Sequence, residues 1–393
     1  MAYRDGIGTA RSPSSYRKFL REAAHAGHGQ AAFQCSLIHL KKNDLLGFNQ
    51  YVRSGANAND MDAMIAQQLV AGGLDSWRKL RPVLMAMQAL RATAVRIRNE
   101  RHKIDLLDTN TGIAHYTNAG ALASMIAGSP SDARNCVWLS STVYVNDPTE
   151  GMRLRDYRKG REKNPLEDLF DGTDSSATIS WLDKEFHVFI ACFSLECDSL
   201  NLWRFYGDDG HGFSIVSPLS AFDPESSDGM IRGPWAKRGK TSPKPSLYRV
   251  LYDDTEVDSA LKELAVSLKP VLKLARKLKG DAPKRVRSVA IAVISELLYL
   301  YKDKQYEAER EVRAAEVQTL GDPAVKEFRL PSMKYAKLHL ETGALLFQER
   351  GSQIIIGPKV DKQDAVMIDL QHQLARQSWS GTCRVIKSEK NYR

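Results

Sequence analysis

A histidine and a threonine lie two residues apart in the segment IAHYTNAGALASMIAG, which runs from residue 113 to residue 128. If the segment begins as a strand, alternation places His115 and Thr117 on one face and Tyr116 on the other. An imidazole beside a hydroxyl can hydrogen-bond a ribose diol or an amide, and the small-residue helix that would follow could approach a phosphate closely. A strand-end histidine with a structural hydrogen bond is the alternative, and the segment by itself favours that alternative.

A second group of charged residues lies in YEAEREVRAAE, from residue 306 to residue 316. In a strand, Glu309, Glu311 and Arg313 would share one face, and burying them would be costly without partners. A carboxylate held in this way can bind a ribose hydroxyl and stabilise a developing cationic sugar. If the segment instead continues the preceding helix, the same charges form a solvated helix face, and both interpretations stay open.

Aromatic residues are concentrated in FSLECDSLNLWRFYGDDGHG, residues 193 to 212, between two strand-like runs. Ser194 would end one strand, a helix would carry Trp203, and a glycine-rich turn would lead into the next strand, so that the three frame a cleft. Trp203 and Tyr206 would share a helix face because they lie three residues apart. Packing of these aromatic rings in the core is the alternative.

Two further groups of residues do not by themselves indicate a catalytic or metal-binding site. The segment SSTVYVNDPTE, residues 140 to 150, contains a turn signal and predicts a capped helical turn. His187, Cys192, Cys197 and His211 lie close in sequence, but their spacings do not match paired zinc ligands, so no metal site is expected. The sequence also contains no phosphate-binding loop, nucleophile elbow or zinc-protease motif.

Composition indicates a globular protein of the cytoplasm. No apolar run reaches the roughly 18 to 20 residues that span a bilayer, and residues 1 to 27 lack the apolar core of a secretory signal. The five cysteines are few and scattered, which is typical of a reducing compartment. We therefore expect a cytoplasmic location and no membrane partner.

The net charge of +9 is placed unevenly along the chain. Residues 231 to 290 contain 15 Lys and Arg against 6 Asp and Glu, which is a net +9 for this segment alone. A basic segment of this kind can bind nucleic acid or another polyanion. A solvated helix face is the alternative and the more common arrangement.

Helical periodicity dominates residues 12 to 108, and strand-like runs begin at residue 111. Glycines 72 and 73 mark a helix break, Asp75 is a candidate N-cap, and Pro82 would kink or begin the long helix that follows. We predict a helical N-terminal accessory domain over residues 1–110 and a second domain over residues 111–393. The predicted strands are IAHYT, CVWLSSTVYV, HVFIACFSL, GFSIVS, LYRVLYD, REVRAAEV, GALLF, SQIIIG and CRVIKS.

Helices are predicted near residues 118 to 128, 256 to 302 and 361 to 378, and they do not alternate regularly with the strands. This order favours an α+β fold with a mostly antiparallel sheet over a doubly wound nucleotide-binding fold. Residues 223 to 246 are rich in Gly, Pro, Ser and charge, and they are typical of a mobile loop between core strands.

Taken in order, the motifs resemble a large bacterial family known as a domain of unknown function. The resemblance rests on the His-Tyr-Thr strand, WLSSTVYVNDPTE, the Trp-x-x-Tyr-Gly segment, EREVR, IIIGP at 354 to 358 and SEKNYR at 388 to 393. Each motif is weak alone, and together they cover about residues 113 to 393.

That family in turn is similar to ADP-ribosyltransferases. The resemblance implies a split β core with inserted helices, His115 and Thr117 as ligands of NAD, Glu311 as the catalytic carboxylate and Glu309 as its acceptor-side partner. The roles of the two glutamates could be reversed. Ser140, Ser141, Thr142 and Ser194 are the candidates for the family's polar second-strand motif, and Tyr144 or Tyr116 would stack on nicotinamide. The full set of residues expected to bind NAD is His115, Tyr116, Thr117, Ser140, Tyr144, Ser194, Trp203 and Arg313.

The leading functional hypothesis is an enzyme that consumes NAD and transfers ADP-ribose to a macromolecule, either protein or nucleic acid. A toxin, a phage-defence factor and a secreted effector would all be compatible with it. Hydrolysis of NAD without transfer is one alternative. A non-catalytic module that binds nucleic acid or protein through residues 231–290 is another.

Overall fold

Helices form most of residues 13–101, and the first strand described begins at residue 113. The computed structural model describes residues 12–58, 60–74, 76–104, 112–126, 136–144, 151–158, 164–170, 186–222, 244–328 and 337–391. The α-helices in these ranges are α1 (Pro13–His25), α2 (Gly29–Lys41), α3 (Leu45–Asn57), α4 (Met61–Ala71), α5 (Trp77–Arg101), α6 (Ala119–Ile126), α7 (Arg153–Asp156), α8 (Glu167–Phe170), α9 (Leu200–Phe205), α10 (Asp254–Ala275), α11 (Ala282–Leu298) and α12 (Gln363–Arg376). None of the helices described is long and apolar enough to cross a membrane.

Ten strands in the described ranges form one open sheet. They are β1 (Ile113–Thr117), β2 (Cys136–Ser141), β3 (Phe186–Ser194), β4 (Phe213–Ser217), β5 (Leu247–Arg249), β6 (Glu311–Thr319), β7 (Val325–Phe328), β8 (Lys337–Leu345), β9 (Ser352–Ile356) and β10 (Cys383–Lys387). The order is β10-β9-β4-β1-β3-β2-β8-β7, with β6 paired to β3 and β5 paired to β6. Of the strand pairs described, β9–β10 is parallel and the rest are antiparallel, which confirms the predicted mixed fold with a mostly antiparallel sheet.

Strand β3 lies at the centre of this arrangement, and its two edges are used differently. On one edge, β6 pairs with β3 along its whole length, from Phe186 opposite Thr319 to Ser194 opposite Glu311. The other edge is shared, because β1 pairs at Ser194 while β2 pairs at Phe189 and Ile190. Among the strand pairs described, those of β1 and β2 with β3 do not extend to residues 191–193. We call this stretch the Cys192 notch.

Local sequence explains where the N-terminal helices begin and end. The carboxylates of Asp44 and Asp60 accept hydrogen bonds from the amides of Gly47 and Ala63, which caps α3 and α4. Helix α4 ends at the predicted glycine break, where Gly73 has a φ of +89° that favours glycine. Helix α5 begins at Trp77 after Ser76 as N-cap, and it continues through Pro82 rather than beginning there. The candidate cap Asp75 lies outside the described residues.

Several segments differ from the sequence prediction. The helix expected over residues 256 to 302 is two helices, α10 and α11, separated at 276–281. The strand expected over residues 136 to 145 ends at Ser141 and is followed by the 3-10 helix Thr142–Tyr144. Strand β7 was not predicted, because its four residues place two adjacent charges between Val325 and Phe328 and show no strand alternation. The expected mobile loop at 223–246 lies outside the described residues up to residue 243.

One hydrophobic core joins the N-terminal helices to the sheet. Apolar side chains of α2 to α5 pack with those of α10 and α11 and with one face of β3 and β6, including Val188 and Val317. A second core on the other face contains Phe189 and Phe193 with side chains of α6 and α12. The first core crosses residue 110, and the division of the chain at that residue stays a prediction.

A buried ion pair connects α5 to α11 within the first core. Arg98 Nη1 lies 2.7 Å from Glu296 Oε2, and both side chains are less than a tenth exposed. Substitution Arg98→Met keeps most of the volume but leaves the Glu296 carboxylate buried without its cation. We expect a loss of about 3–5 kcal/mol in the free energy of unfolding, measured by urea denaturation at pH 7.

The matched control is Lys262→Met, which breaks the surface pair between Lys262 and Asp258 on α10. That change should cost less than about 1 kcal/mol. Equal shifts of the urea midpoint for the two variants would show that Arg98 does not stabilise this interface through its charge.

Candidate functional site

Two carboxylates meet at one amine where the chain enters β6. Lys302 Nζ lies 2.7 Å from Glu309 Oε2 and 3.2 Å from Glu311 Oε2. Glu309 is not in a strand, because it ends the 3-10 helix Lys304–Glu309, and Glu311 is the first residue of β6. Arg310 between them has a left-handed φ of 42°. The expected strand alternation is therefore wrong for Glu309, and the turn at Arg310 lets both glutamates reach Lys302.

The Glu311 carboxylate is surrounded by donors. Arg313 binds it in a bidentate manner, with Nε 2.7 Å from Oε1 and Nη2 2.8 Å from Oε2. Lys302 and the Cys192 thiol also donate to it. Burial raises the pKa of Glu311, but Arg313 and then Lys302 outweigh that effect and bring the pKa down to about 2. These donors occupy about four lone-pair positions, which is the capacity of a carboxylate.

The Glu309 carboxylate can accept further hydrogen bonds. Among the described residues its donors are Tyr206, whose hydroxyl lies 2.8 Å from Oε1, and Lys302. Its side chain is 16% exposed, against 6% for Glu311. Burial and then the neighbouring Glu309 raise the pKa of Tyr206, so the phenol stays protonated and donates. A ribose hydroxyl could therefore bind Glu309 without displacing either donor.

His115 reaches the Cys192 notch from β1. Its Nδ1 lies 3.1 Å from the Cys192 carbonyl oxygen, and its ring meets the edge of Phe193 with centroids 5.9 Å apart. A carbonyl can only accept, so Nδ1 carries the proton in this contact. Burial lowers the pKa of His115, which favours the neutral ring and leaves Nε2 as an acceptor.

His115 and Glu311 approach Cys192 from different directions. Ala114, Ser194 and Glu311 lie opposite one another across β1, β3 and β6, so alternation directs Glu311 and His115 toward opposite faces of the sheet. His115 contacts the Cys192 carbonyl and Glu311 accepts from the Cys192 thiol, while the Cys192 side chain is exposed. Cys192 is thus the residue that both side chains contact, although they lie on opposite faces of the sheet.

Several of the residues predicted to bind NAD have structural contacts, and Tyr116 and Ser194 hold the backbone near the notch. The Tyr116 hydroxyl donates to the Glu196 carbonyl and accepts from the Ser199 amide, so both of its hydrogen-bonding roles are used. The indole of Trp203 is completely buried. The Ser194 hydroxyl donates to the Glu309 carbonyl at 2.6 Å, which fixes the turn that carries Glu309. Arg313 is also completely buried, and its guanidinium binds the Glu311 carboxylate.

The second-strand candidates lie across the notch from His115. Ser140 is exposed, whereas Ser141 and Thr142 are buried, and their hydroxyls have no hydrogen-bond partner within the described structure. Buried hydroxyls without partners are costly, and a bound amide or hydroxyl would satisfy them. Thr117 is buried at the end of β1. Tyr144 ends the 3-10 helix, but its side chain and the NDPTE segment lie outside the described residues.

Sequence reasoning missed Lys302 and the thiol of Cys192 as site residues. Lys302 lies in KDKQYEAERE, where charges at short spacing are typical of a solvated surface, and nothing in the pattern indicates its burial. Cys192 was considered only as a zinc ligand. In the described residues, no three His, Cys, Asp or Glu side chains form a group that could hold a metal ion.

The low pKa of Glu311 predicts a specific loss of stability in acid. Its pKa of about 2 in the fold lies below the ordinary value of 4.5, so its stabilisation is complete above about pH 4.5 and is lost as the pH falls toward 2. A depression of this size corresponds to roughly 3 kcal/mol. We expect Glu311→Gln to be less stable than wild type at pH 7, and the difference to shrink between pH 4.5 and 2 in urea denaturation.

The control for this experiment is Glu307→Gln, because Glu307 is exposed on the adjoining 3-10 helix. Its stability should follow that of wild type over the whole pH range. A constant difference between wild type and Glu311→Gln from pH 7 to pH 2 would contradict the role assigned to the Arg313 and Lys302 cations.

Comparison with known protein families gives a match over part of the chain. Residues 202–314 match the family model described as a protein of unknown function (DUF2971). This stretch includes Trp203 to Gly207 and Glu309 to Arg313, whereas the His-Tyr-Thr, NDPTE, IIIGP and SEKNYR segments lie outside it. No curated protein and no solved structure matches the chain. The predicted resemblance to a domain of unknown function is thus confirmed, over residues 202–314, by the match to the DUF2971 family.

Proposed function

We propose that this protein is an NAD-dependent ADP-ribosyltransferase that uses the Cys192 notch as its nicotinamide-ribose site. The observations that support the proposal are that His115 contacts the Cys192 carbonyl and that Glu311, within the Glu309–Lys302–Glu311 cluster, accepts from the Cys192 thiol. A histidine, a carboxylate pair and buried hydroxyls are the groups that a ribose and an amide would require.

The two glutamates have different roles in this proposal. The Glu311 carboxylate accepts from about four donors and is paired with Arg313. Its role is therefore to hold the Arg313 and Lys302 cations in place. Glu309 has two donors and a more exposed carboxylate, so it is the group that binds the ribose hydroxyl. This is the reverse of the order that the resemblance first implied. Glu309 becomes the carboxylate that stabilises the positive charge on the sugar.

The reaction is a displacement at the anomeric carbon of the nicotinamide ribose. The bond from that carbon to the pyridinium nitrogen breaks, and nicotinamide leaves with the electron pair. The negative charge of Glu309 stabilises the oxocarbenium-like state that develops. A nucleophilic oxygen or nitrogen of the acceptor then bonds to the same carbon and releases its proton to solvent. Neutral His115 would accept a hydrogen bond from ribose through Nε2, and the Ser141 and Thr142 hydroxyls would bind polar groups of NAD.

Release of nicotinamide from NAD tests this assignment. We expect wild type to release nicotinamide, and Glu309→Gln to lower kcat by about 100-fold or more, because the glutamine cannot stabilise the cationic sugar. His115→Ala should raise the KM for NAD by removing a ribose acceptor. Chromatographic measurement of nicotinamide, with thermal unfolding of each variant as a check of folding, gives the result.

The matched control is again Glu307→Gln, which removes a carboxylate two residues away on the same 3-10 helix and should retain full activity. A Glu309→Gln variant as active as wild type would overturn the role of Glu309. Wild-type protein that neither binds NAD nor turns it over with protein or nucleic-acid acceptors would overturn the proposed function.

Hydrolysis of NAD is distinguished from transfer by the fate of the ADP-ribose. We expect label from adenine-labelled NAD to appear on a macromolecular acceptor in excess of free ADP-ribose, and this labelling should be lost in Glu309→Gln. Recovery of all the label as free ADP-ribose, with every protein and nucleic-acid acceptor supplied, would assign the chain to the NAD glycohydrolases instead.

A further inference from the structure

A polar cleft of about 670 Å³ lies where the turn between α4 and α5 meets the beginning of α11. Its walls come from the end of α4, the Gly72–Gly73 turn, the segment before α11 and the first two turns of α11. The lining residues are Ala71, Gly72, Gly73, Lys279, Asp281, Ala282, Lys284, Arg285 and Ser288. The described lining contains no aromatic side chain, so the cleft offers charge and hydrogen bonds rather than a surface for stacking.

Positive charge dominates the cleft. Lys279, Lys284 and Arg285 line it, against the single carboxylate of Asp281. Exposed cations also occur in the adjoining stretches of chain, at the end of α10 and at the beginning of α5. They are Lys273, Arg276, Lys277, Arg78, Lys79 and Arg81, and Arg276 is ion-paired with Asp168. The cleft and its adjoining segments thus carry more positive charge than a single phosphate requires.

The shape of the cleft depends on the absence of a side chain at Gly72. A Cβ atom added there would lie 2.3 Å from Arg285 Cγ and 2.6 Å from Arg285 Cβ. The Cβ atom is bonded to the backbone, so it cannot move away unless the whole residue shifts. Gly72 therefore allows the stem of Arg285 to lie against the α4–α5 turn, and this contact helps to position its guanidinium at the wall of the cleft.

The cleft is separate from the candidate NAD site. It lies at the beginning of α11, whereas Lys302 follows the end of that helix. A helix of 17 residues is roughly 25 Å long. The two sites share no residue.

We propose that this cleft and the cations around it bind the phosphate backbone of a nucleic acid. Several exposed Lys and Arg side chains on one face are the electrostatic pattern of sequence-independent phosphate binding. The absence of aromatic rings from the described lining fits contacts to the backbone rather than to bases. The spread of charge over three helices favours a polymer with regularly spaced phosphates over one small phosphate ligand. The first part of the basic segment, residues 231–243, lies outside the described structure, and the proposal does not use it.

Fluorescence anisotropy with labelled oligonucleotides of 5 and 20 nucleotides tests the proposal, with the full chain and without NAD. We expect the logarithm of the affinity to fall linearly with the logarithm of the salt concentration. The double substitution Lys279→Glu and Lys284→Glu should weaken binding of the 20-mer by about tenfold or more, and should lower the salt slope by about one to two. Gly72→Ala, which removes no charge but displaces Arg285, should cause a smaller loss.

The matched control is Lys18→Glu with Lys41→Glu, two exposed lysines of α1 and α2 whose substitution changes the net charge equally. This control should bind as wild type does, and thermal unfolding of all variants checks their folding. Three outcomes would each overturn the proposal: no binding by wild type, equal losses in the two double variants, or an affinity for AMP that equals that for the 20-mer. Because the assay contains no NAD, its outcome is independent of the nicotinamide-release experiment.

Discussion

The candidate site depends on the burial of one guanidinium. Arg313 is completely buried in β6, and a buried cation must be neutralised and hydrogen-bonded for the fold to be stable. Glu311 supplies both carboxylate oxygens, and the Tyr299 carbonyl at the end of α11 accepts from the third nitrogen. The ion pair therefore does more than neutralise a charge, because it fixes the end of α11 against the beginning of β6. The chain between these two points, which carries Lys302 and Glu309, has little freedom in where it can pass.

Lys302 connects this ion pair to the partly exposed carboxylate of Glu309. Although burial lowers the pKa of this amine, Glu311 and then Glu309 more than offset the effect, and its pKa is raised. The charged amine satisfies the last acceptor position of Glu311 and one oxygen of Glu309. A single amine thus couples a carboxylate that stabilises the fold to a carboxylate that remains accessible. The accessible one is held in place by contacts that the fold already requires, which is the preorganisation that charge stabilisation in a reaction needs.

The sequence predicted the elements better than the contacts between them. Most strands, the antiparallel character of the sheet and the N-terminal helices follow from local periodicity and turn signals, which depend only on neighbouring residues. The pairing of β3 with β1, β2 and β6 depends on residues far apart in sequence, and no local pattern indicates it. The same limit explains which residues of the candidate site the sequence indicated and which it did not. His115 and Glu311 were identified by type and order, whereas Lys302 was missed because no local pattern shows that its backbone pairs with Leu251 and its amine meets the start of β6.

The Glu-x-Glu segment shows how two residues selected from a strand pattern can have a different geometry in the fold. Two glutamates two residues apart suggest one face of a strand, and the family resemblance implied that the second is the catalytic one. In the structure, the left-handed residue Arg310 separates a 3-10 helix from β6, so the two carboxylates differ in surroundings. The deeper position gives Glu311 its full set of donors, and that saturation is what makes it a poor ligand for a substrate hydroxyl. Glu309, at the edge, keeps an acceptor position because it lies outside the strand.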